Sequence, residues 1–345
     1  MSTRREVLAG ALAASVIGLT AGCGRWTGAS GSGAHPALRR PRPHGVVALL
    51  TAAGDPAVVR TGLAELGRRG GETTMVGVGA AILDAAGLTA ARPPVIGPMP
   101  PFPGDVPIAD RTDVGVAVQI EDDSAEAVRR RADILFGGLP GLRVTWRTAV
   151  TRSAAGVDDG RRLQLNPFGF VEGQGNPADP VDQVLLRSGP QWTVGGSLLA
   201  LRVIRMAHAL WDADETEEQE RIIGRRTDGH WLDGTAAFDE PRFAADPDGA
   251  VTPLDSHVRL VNPRTPDRPP PRMLRRSWTY GGGTAPGGVA DEGMVFMAFQ
   301  NDLAAGFVRA QERLRGEAMA PYLLAVGGGY YVVPTPDGLA TLLAG

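Results

Sequence analysis

Residues 113–148 read DVGVAVQIEDDSAEAVRRRADILFGGLPGLRVTWRT. The first nine alternate as a half-buried strand does. Asp123 or Ser124 can cap a helix that carries Ala127, Val128, Ile134 and Leu135, and residues 142–148 return as a strand. Upstream, residues 45–51 (GVVALLT) form an apolar run of strand length. Asp55-Pro56 then offers an N-cap and a proline for a first helical turn, followed by Val58, Val59, Leu63 and Leu66 at helical spacing. Residues 73–79 (TTMVGVG) read as another strand. The order is β-α-β-β-α-β, the ferredoxin-like arrangement.

The second half repeats the order loosely. Residues 197–205, 272–280, 293–299 and 329–334 read as strands. Asp214-Glu215-Thr216-Glu217 is a capping box that opens a charged helix to about Arg226, and residues 301–315 read as a second helix. The expected fold class is α+β: two ferredoxin-like βαββαβ domains of the dimeric α+β-barrel type, spanning 44–165 and 166–345. Their sheets are expected to pack on each other and leave a pocket between sheets and helices. Residues 80–111 and 227–257 are long insertions, which in ordered domains usually serve function.

The chain opens with an address. Arg4 and Arg5 precede an apolar run from Val7 to about Ala21, short for a membrane span and suited to a twin-Arg signal peptide. Cys23, after Leu19-Thr20-Ala21-Gly22, resembles a lipobox cysteine. Residues 1–23 are therefore read as a signal peptide with a lipid-acceptor site, and residues 24–43, rich in Gly, Ser, Pro and Arg, as a flexible linker. This implies export through twin-Arg machinery, with the protein secreted or held on the outer membrane face by a lipid.

Composition excludes several chemistries. All 35 basic residues are arginine, so Schiff-base and P-loop lysines are absent. The net charge of −3 gives no case for nucleic acid. One cysteine excludes an internal disulfide and a cysteine-held iron–sulfur or zinc centre. Of five histidines, His35 and His44 lie in or beside the linker. His208 reads as structural, His230 as exposed, and His257 is a candidate ligand or catalyst. Glu172 lies between glycines in the loop 166–177 (NPFGFVEGQGNP), where glycines let the backbone approach a ligand closely.

Nine blocks, in order, resemble the dye-decolorizing peroxidases, in particular the exported branch that includes deferrochelatase-like proteins. They are Ile82–Asp84, Pro101–Asp105, Val114–Asp122, Asn166–Pro177, Gly196–Asp212, Glu218–Arg225, Asp255–Arg264, Arg272–Tyr280 and Phe299–Phe307. The resemblance implies haem b in the C-terminal domain, with His257 as the proximal iron ligand and Asp302 accepting a hydrogen bond from its other ring nitrogen. It also implies Arg275 as the distal arginine, with Arg276 facing away, and Gly173 beside the cofactor. Glu172 stands where the family has a distal aspartate. The implied activity is reduction of hydrogen peroxide through high-valent iron, with oxidation of dyes, phenols or another small reductant. The alternative is a deferrochelatase-like haem-binding protein whose peroxidase activity is weakened by the longer Glu172. A homo-oligomer is a further expectation.

Overall fold

The computed structural model describes residues 35–344 except 159–160, 285–287 and 289. The signal-peptide and Cys23 readings lie outside the described residues. The first half runs β1 (His44–Ala52), α1 (Pro56–Gly70), β2 (Thr74–Val78), α2 (Ala80–Ala85), β3 (Val116–Asp122), α3 (Ala125–Phe136) and β4 (Leu142–Thr151). This is the expected βαββαβ order, with α2 added inside the first insertion. The two main helices start where side chains satisfy free N–H groups. Asp55 accepts from Ala57 and Val58, and Ser124, rather than Asp123, accepts from Ala127.

A small antiparallel sheet follows, formed by β5 (Ser153–Asp158), β6 (Arg161–Leu165) and β7 (Val171–Glu172). It straddles the 165/166 boundary read from sequence. The second half holds α4 (Val181–Val184), β8 (Ser197–Met206), α5 (His208–Trp211), α6 (Thr216–Ile223) and α7 (His257–Val261). It continues with β9 (Leu274–Arg275), β10 (Trp278–Thr284), β11 (Ala290–Gln300), α8 (Arg309–Arg313), β12 (Leu323–Val333) and α9 (Pro336–Ala344). The capping box does not form as read: Glu215 sits at the N-cap of α6 without a side-chain bond, and α6 stops at Gly224 rather than Arg226. The helix expected over 301–315 is a π-helical turn, Ala304–Val308, followed by α8.

The two four-stranded units do not stack face to face. They join edge to edge in the order β10-β4-β1-β3-β2-β12-β8-β11, and β10 also pairs with β11, so the sheet closes into a barrel. Every neighbouring pair is antiparallel. Closure removes the four sheet edges that separate units would expose. The seams are short: Val332 meets Val78 on one side, and Thr279 and Tyr280 meet Thr151 and Val150 on the other.

Strand alternation sorts the side chains into two cores. Val47, Leu49, Ala117, Leu199, Leu201, Val203, Val295, Met297 and Tyr331 fill the barrel, so it is a packed core and not a pore. Val46, Ala48, Leu50, Val116, Val118 and Ile120 face outward and pack with Val59, Leu63 and Leu66 of α1 and Val128 and Leu135 of α3. One barrel end is polar. There Glu121 accepts from Arg152 and Arg276, all three side chains being nearly inaccessible, and Trp278 Nε1 donates to Gln119.

Residues 35–43, expected as linker, are docked on that end instead. Ala37 and Leu38 enter the core, and Arg276 donates to the carbonyls of Pro36, Ala37 and Arg39. His35 Nδ1 accepts from the Ala37 N–H, so the ring is neutral with its hydrogen on Nε2, 2.9 Å from the Val333 carbonyl. Burial, with the nearby Arg39 and Arg276 charges, holds His35 down to about 4 from its ordinary 6.5. The unfolded chain therefore binds the extra proton between these values. The His35 contribution is complete above pH 6.5 and is lost as pH falls toward 4, a difference of about 3 kcal/mol. Urea unfolding at pH 7.5 and pH 4.5 is expected to show a steeper loss in wild type than in His35→Gln. Equal losses would sink this assignment.

Candidate active site

A cavity of about 530 Å³ lies on the outward face of β8, β11 and β12, below α7 and the segment around α8. Its sheet wall is largely apolar, with Ile204 and Met206 from β8, Met294 and Phe296 from β11, and Leu323 and Ala325 from β12; Arg202 of β8, ion-paired to Asp105, is its charged member. These outward positions alternate with the barrel-filling Val203, Val295 and Met297.

His257 is the one imidazole among the described residues lining this cavity. It begins α7, and the end of α6 fixes its place. Gly224 closes α6 at φ +87°, and a Cβ there would lie 2.7 Å from both Ser256 Oγ and Val258 Cγ2. Only glycine allows both the left-handed turn and this approach. Arg259 ties α7 to the insertion before it, donating to the Asp246 carboxylate at 2.9 Å and to the Asp246 and Thr252 carbonyls. His257 Nδ1 lies 2.6 Å from Glu317 Oε2, with side-chain exposures of 28% and 7%. A carboxylate only accepts, so Nδ1 carries the hydrogen and the Nε2 lone pair is left for a ligand.

The charged wall comes from β7 and β9. Gln164 of β6 stands opposite Glu172 of β7, and its Nε2 donates to Glu172 Oε1 at 2.6 Å. Burial pushes the Glu172 carboxyl up, while Arg275, Arg152 and the Gln164 bond pull against it. Gly173 follows at φ +90° and lines the cavity. Asn176 then grips β9: its side-chain oxygen accepts from the Arg275 N–H and its amide donates to the Arg275 carbonyl, both at 2.9 Å. It thus acts as a strand neighbour made from one side chain. Arg275 extends toward the same loop, where a Cβ on Gly175 would meet its Nη2 at 3.1 Å. Burial lowers the Arg275 pKa and the Glu172 charge raises it; the guanidinium stays protonated near neutrality. Arg276 turns away to Glu121 and the N-terminal segment, as strand alternation predicts.

The structure therefore brings His257, Glu172, Gly173 and Arg275 to one cavity. The fold agrees with what known proteins show. The family model described as Dyp-type peroxidase, C-terminal, matches residues 164–338. The chain belongs to the Dyp-type peroxidase family. Its similarity to a deferrochelatase of Yersinia pseudotuberculosis is 36% identity over 271 residues, 75% of this chain and 62% of the relative. The chain thus spans less than two thirds of that relative's length. A Dyp-type peroxidase from Cellulomonas bogoriensis superposes with a TM-score of 0.78 at 27% identity, over 94% of this chain and 100% of that one. DtpA from Streptomyces lividans, solved as an oxyferrous/water mixed complex, gives a TM-score of 0.75 at 26% identity, over 88% and 94%.

One residue expected at this site is elsewhere. Asp302 is exposed and accepts from the Ala304 and Ala305 N–H groups, capping the π-helical turn. Its carboxylate is spent on that cap, and Glu317, fifteen residues further along, holds His257 instead. Glu317, Gln164 and Asn176 were not singled out from sequence. Among the described residues no cluster of three or more His, Cys, Asp or Glu could hold a metal ion.

Proposed function

We propose that this chain is a haem-dependent peroxidase that reduces hydrogen peroxide and oxidises a small-molecule reductant such as a dye or phenol. The carrying observation is His257, fixed through Nδ1 by Glu317 and free at Nε2, in a cavity that also holds Glu172 and Arg275. The residues present fit haem b. The cavity lies within the range of ligand pockets, roughly 300–1,000 Å³, and its sheet wall of Met, Ile, Leu and Phe suits a flat apolar macrocycle. The donor set, one imidazole and no cluster, suits a metal already held by four other nitrogens.

When bound, haem iron supplies electrons to peroxide and recovers them from the reductant. His257 Nε2 would hold the iron, and Glu317 makes that imidazole electron-rich by accepting its Nδ1–H. Arg275 places a fixed positive charge in the cavity, favouring the anionic form of bound peroxide. Gln164 engages Oε1 of Glu172 and leaves Oε2 to take the proton from one peroxide oxygen and return it to the other, which departs as water. Stopped-flow absorbance of the haem-loaded protein mixed with equimolar hydrogen peroxide tests this reading. A rapid change in the haem spectrum is expected. An unchanged ferric spectrum, with free protoporphyrin as the product on incubation, would favour haem iron release, the activity named for the deferrochelatase relative.

The twin arginine and the small residues before Cys23 support a second part of the proposal: export by twin-Arg machinery and a lipid anchor on Cys23. Cys23→Ala is expected to leave the membrane fraction and appear in the medium. An unchanged distribution, with unmodified Cys23 by mass spectrometry in wild type, would sink the anchor.

A further inference from the structure

The catalytic strand carries an interruption. β9 and β10 both lie along β11, but the strand pairing lapses at Arg276 and Ser277, just after Arg275, where one bond from the Arg276 N–H to the Met297 carbonyl at 2.8 Å remains. The same stretch forms the seam with the first half, where β4 contributes only Val150 and Thr151 to β10. Among the described residues no strand of the first half pairs with Arg276 or Ser277. The next residue of the first half supplies one in side-chain form. Arg152 Nη2 donates to the Arg276 carbonyl at 3.2 Å and Nε to the Ser277 carbonyl at 3.1 Å. Its Nη1 reaches Glu121 at 3.2 Å and the Arg42 carbonyl at 3.1 Å, and its guanidinium lies 3.2 Å from the Trp278 ring centroid. Every donor group is thus directed, which fixes the fork in one orientation.

Resting on the peroxidase reading above, we propose that Arg152 is a positioning residue of the Glu172–Arg275 pair: it holds the strand that carries Arg275 through two carbonyls, and it sets a second positive charge against Glu172. Glu172 accepts from Gln164 of β6 and lies in the field of Arg275 on β9 and of Arg152, the residue after β4. Behind Arg152, Glu121 and Arg276 complete the charged group. The first half of the chain thereby reaches the chemistry of the second, a role that explains why the seam is placed beside Arg275.

Two variants separate charge from positioning. Arg152→Met removes both, and Glu121 keeps Arg276 as its partner. Arg152→Lys keeps a charge but lacks the planar fork that reaches the Arg276, Ser277 and Arg42 carbonyls and Glu121 in one fixed orientation. The first readout is made on the haem-free protein: titration of the Glu172 carboxyl by isotope-edited infrared difference against Glu172→Gln. Arg152→Met is expected to raise that midpoint by about one pH unit, and Arg152→Lys to leave it nearly in place. The second readout is kcat/KM for hydrogen peroxide in the loaded protein. It is expected to fall about tenfold in Arg152→Lys, since small misplacements of catalytic groups carry large rate losses. An unmoved Glu172 midpoint in folded Arg152→Met overturns the electrostatic part. A wild-type peroxide rate in Arg152→Lys overturns the positioning part, and that variant decides alone if Arg152→Met does not fold. Failure of wild type to react with peroxide would overturn the peroxidase reading and leave the carboxyl titration to judge Arg152.

Discussion

His257→Ala is expected to abolish the reaction with peroxide. The cavity is lined by no other imidazole among the described residues, and none of its acidic residues clusters to replace one. The loss should exceed the roughly 10- to 100-fold typical of removing an outer partner of a metal ligand. Haem titration followed by visible absorbance should show a spectrum without the wild-type axial ligand, even where the apolar sheet wall still binds the macrocycle. Two companion variants place the outer partner. Glu317→Gln keeps an acceptor for the Nδ1–H but removes the negative charge, so a loss of about 10- to 100-fold is expected. Asp302→Asn should react like wild type, because Asp302 serves the turn beginning at Ala304. A wild-type spectrum and rate in His257→Ala would move the ligand elsewhere. A slow Asp302→Asn beside a normal Glu317→Gln would reverse the assignment of the outer partner.

That reversal of Asp302 and Glu317 marks where sequence reading stops. The strands and helices were legible because their periodicity is local, and β1, β3, β4 and β8 fall where the apolar runs place them. That His257, Glu172 and Arg275 share one cavity was legible through ordered blocks of resemblance, and the outward turn of Arg276 through strand alternation. The barrel type was expected, but its edge-to-edge seams, in place of stacked sheets, were not, since they depend on three residue pairs between distant segments. Nor was the Glu317 contact, which joins side chains sixty residues apart after a loop of no regular period. An Asp two residues before a helical start also satisfies local capping, and that use of Asp302 wins here. His35 looked like linker because its neighbours are Gly, Pro and Arg; only the buried carbonyl of Val333 and the grip of Arg276 show it docked.

Glu172→Gln is expected to lower the second-order rate with peroxide by about 10²- to 10⁴-fold, the range for losing a positioned proton acceptor. The amide can still bond to Gln164, so the loop should keep its course and the deficit should be one of proton transfer. The pH profile separates this from a structural effect. Glu172 must be ionised to accept the peroxide proton, and burial pushes its carboxyl above the ordinary carboxylate range against the pull of Arg275 and Arg152. The wild-type rate should therefore rise with pH through a midpoint above the usual glutamate value, and Glu172→Gln should lose that limb. Arg275→Leu removes the charge that favours anionic peroxide, with an expected loss of about 10²- to 10³-fold. It also leaves burial less opposed, so the remaining limb should move to higher pH. The two variants thus fail differently: one loses the limb, the other displaces it. If Glu172→Gln reacted at the wild-type rate while Arg275→Leu lost all reaction, the extra methylene would have taken the carboxyl out of the proton path. Arg275 alone would then carry the distal chemistry, and the iron-release alternative would gain from a cavity that binds haem yet lacks a proton acceptor.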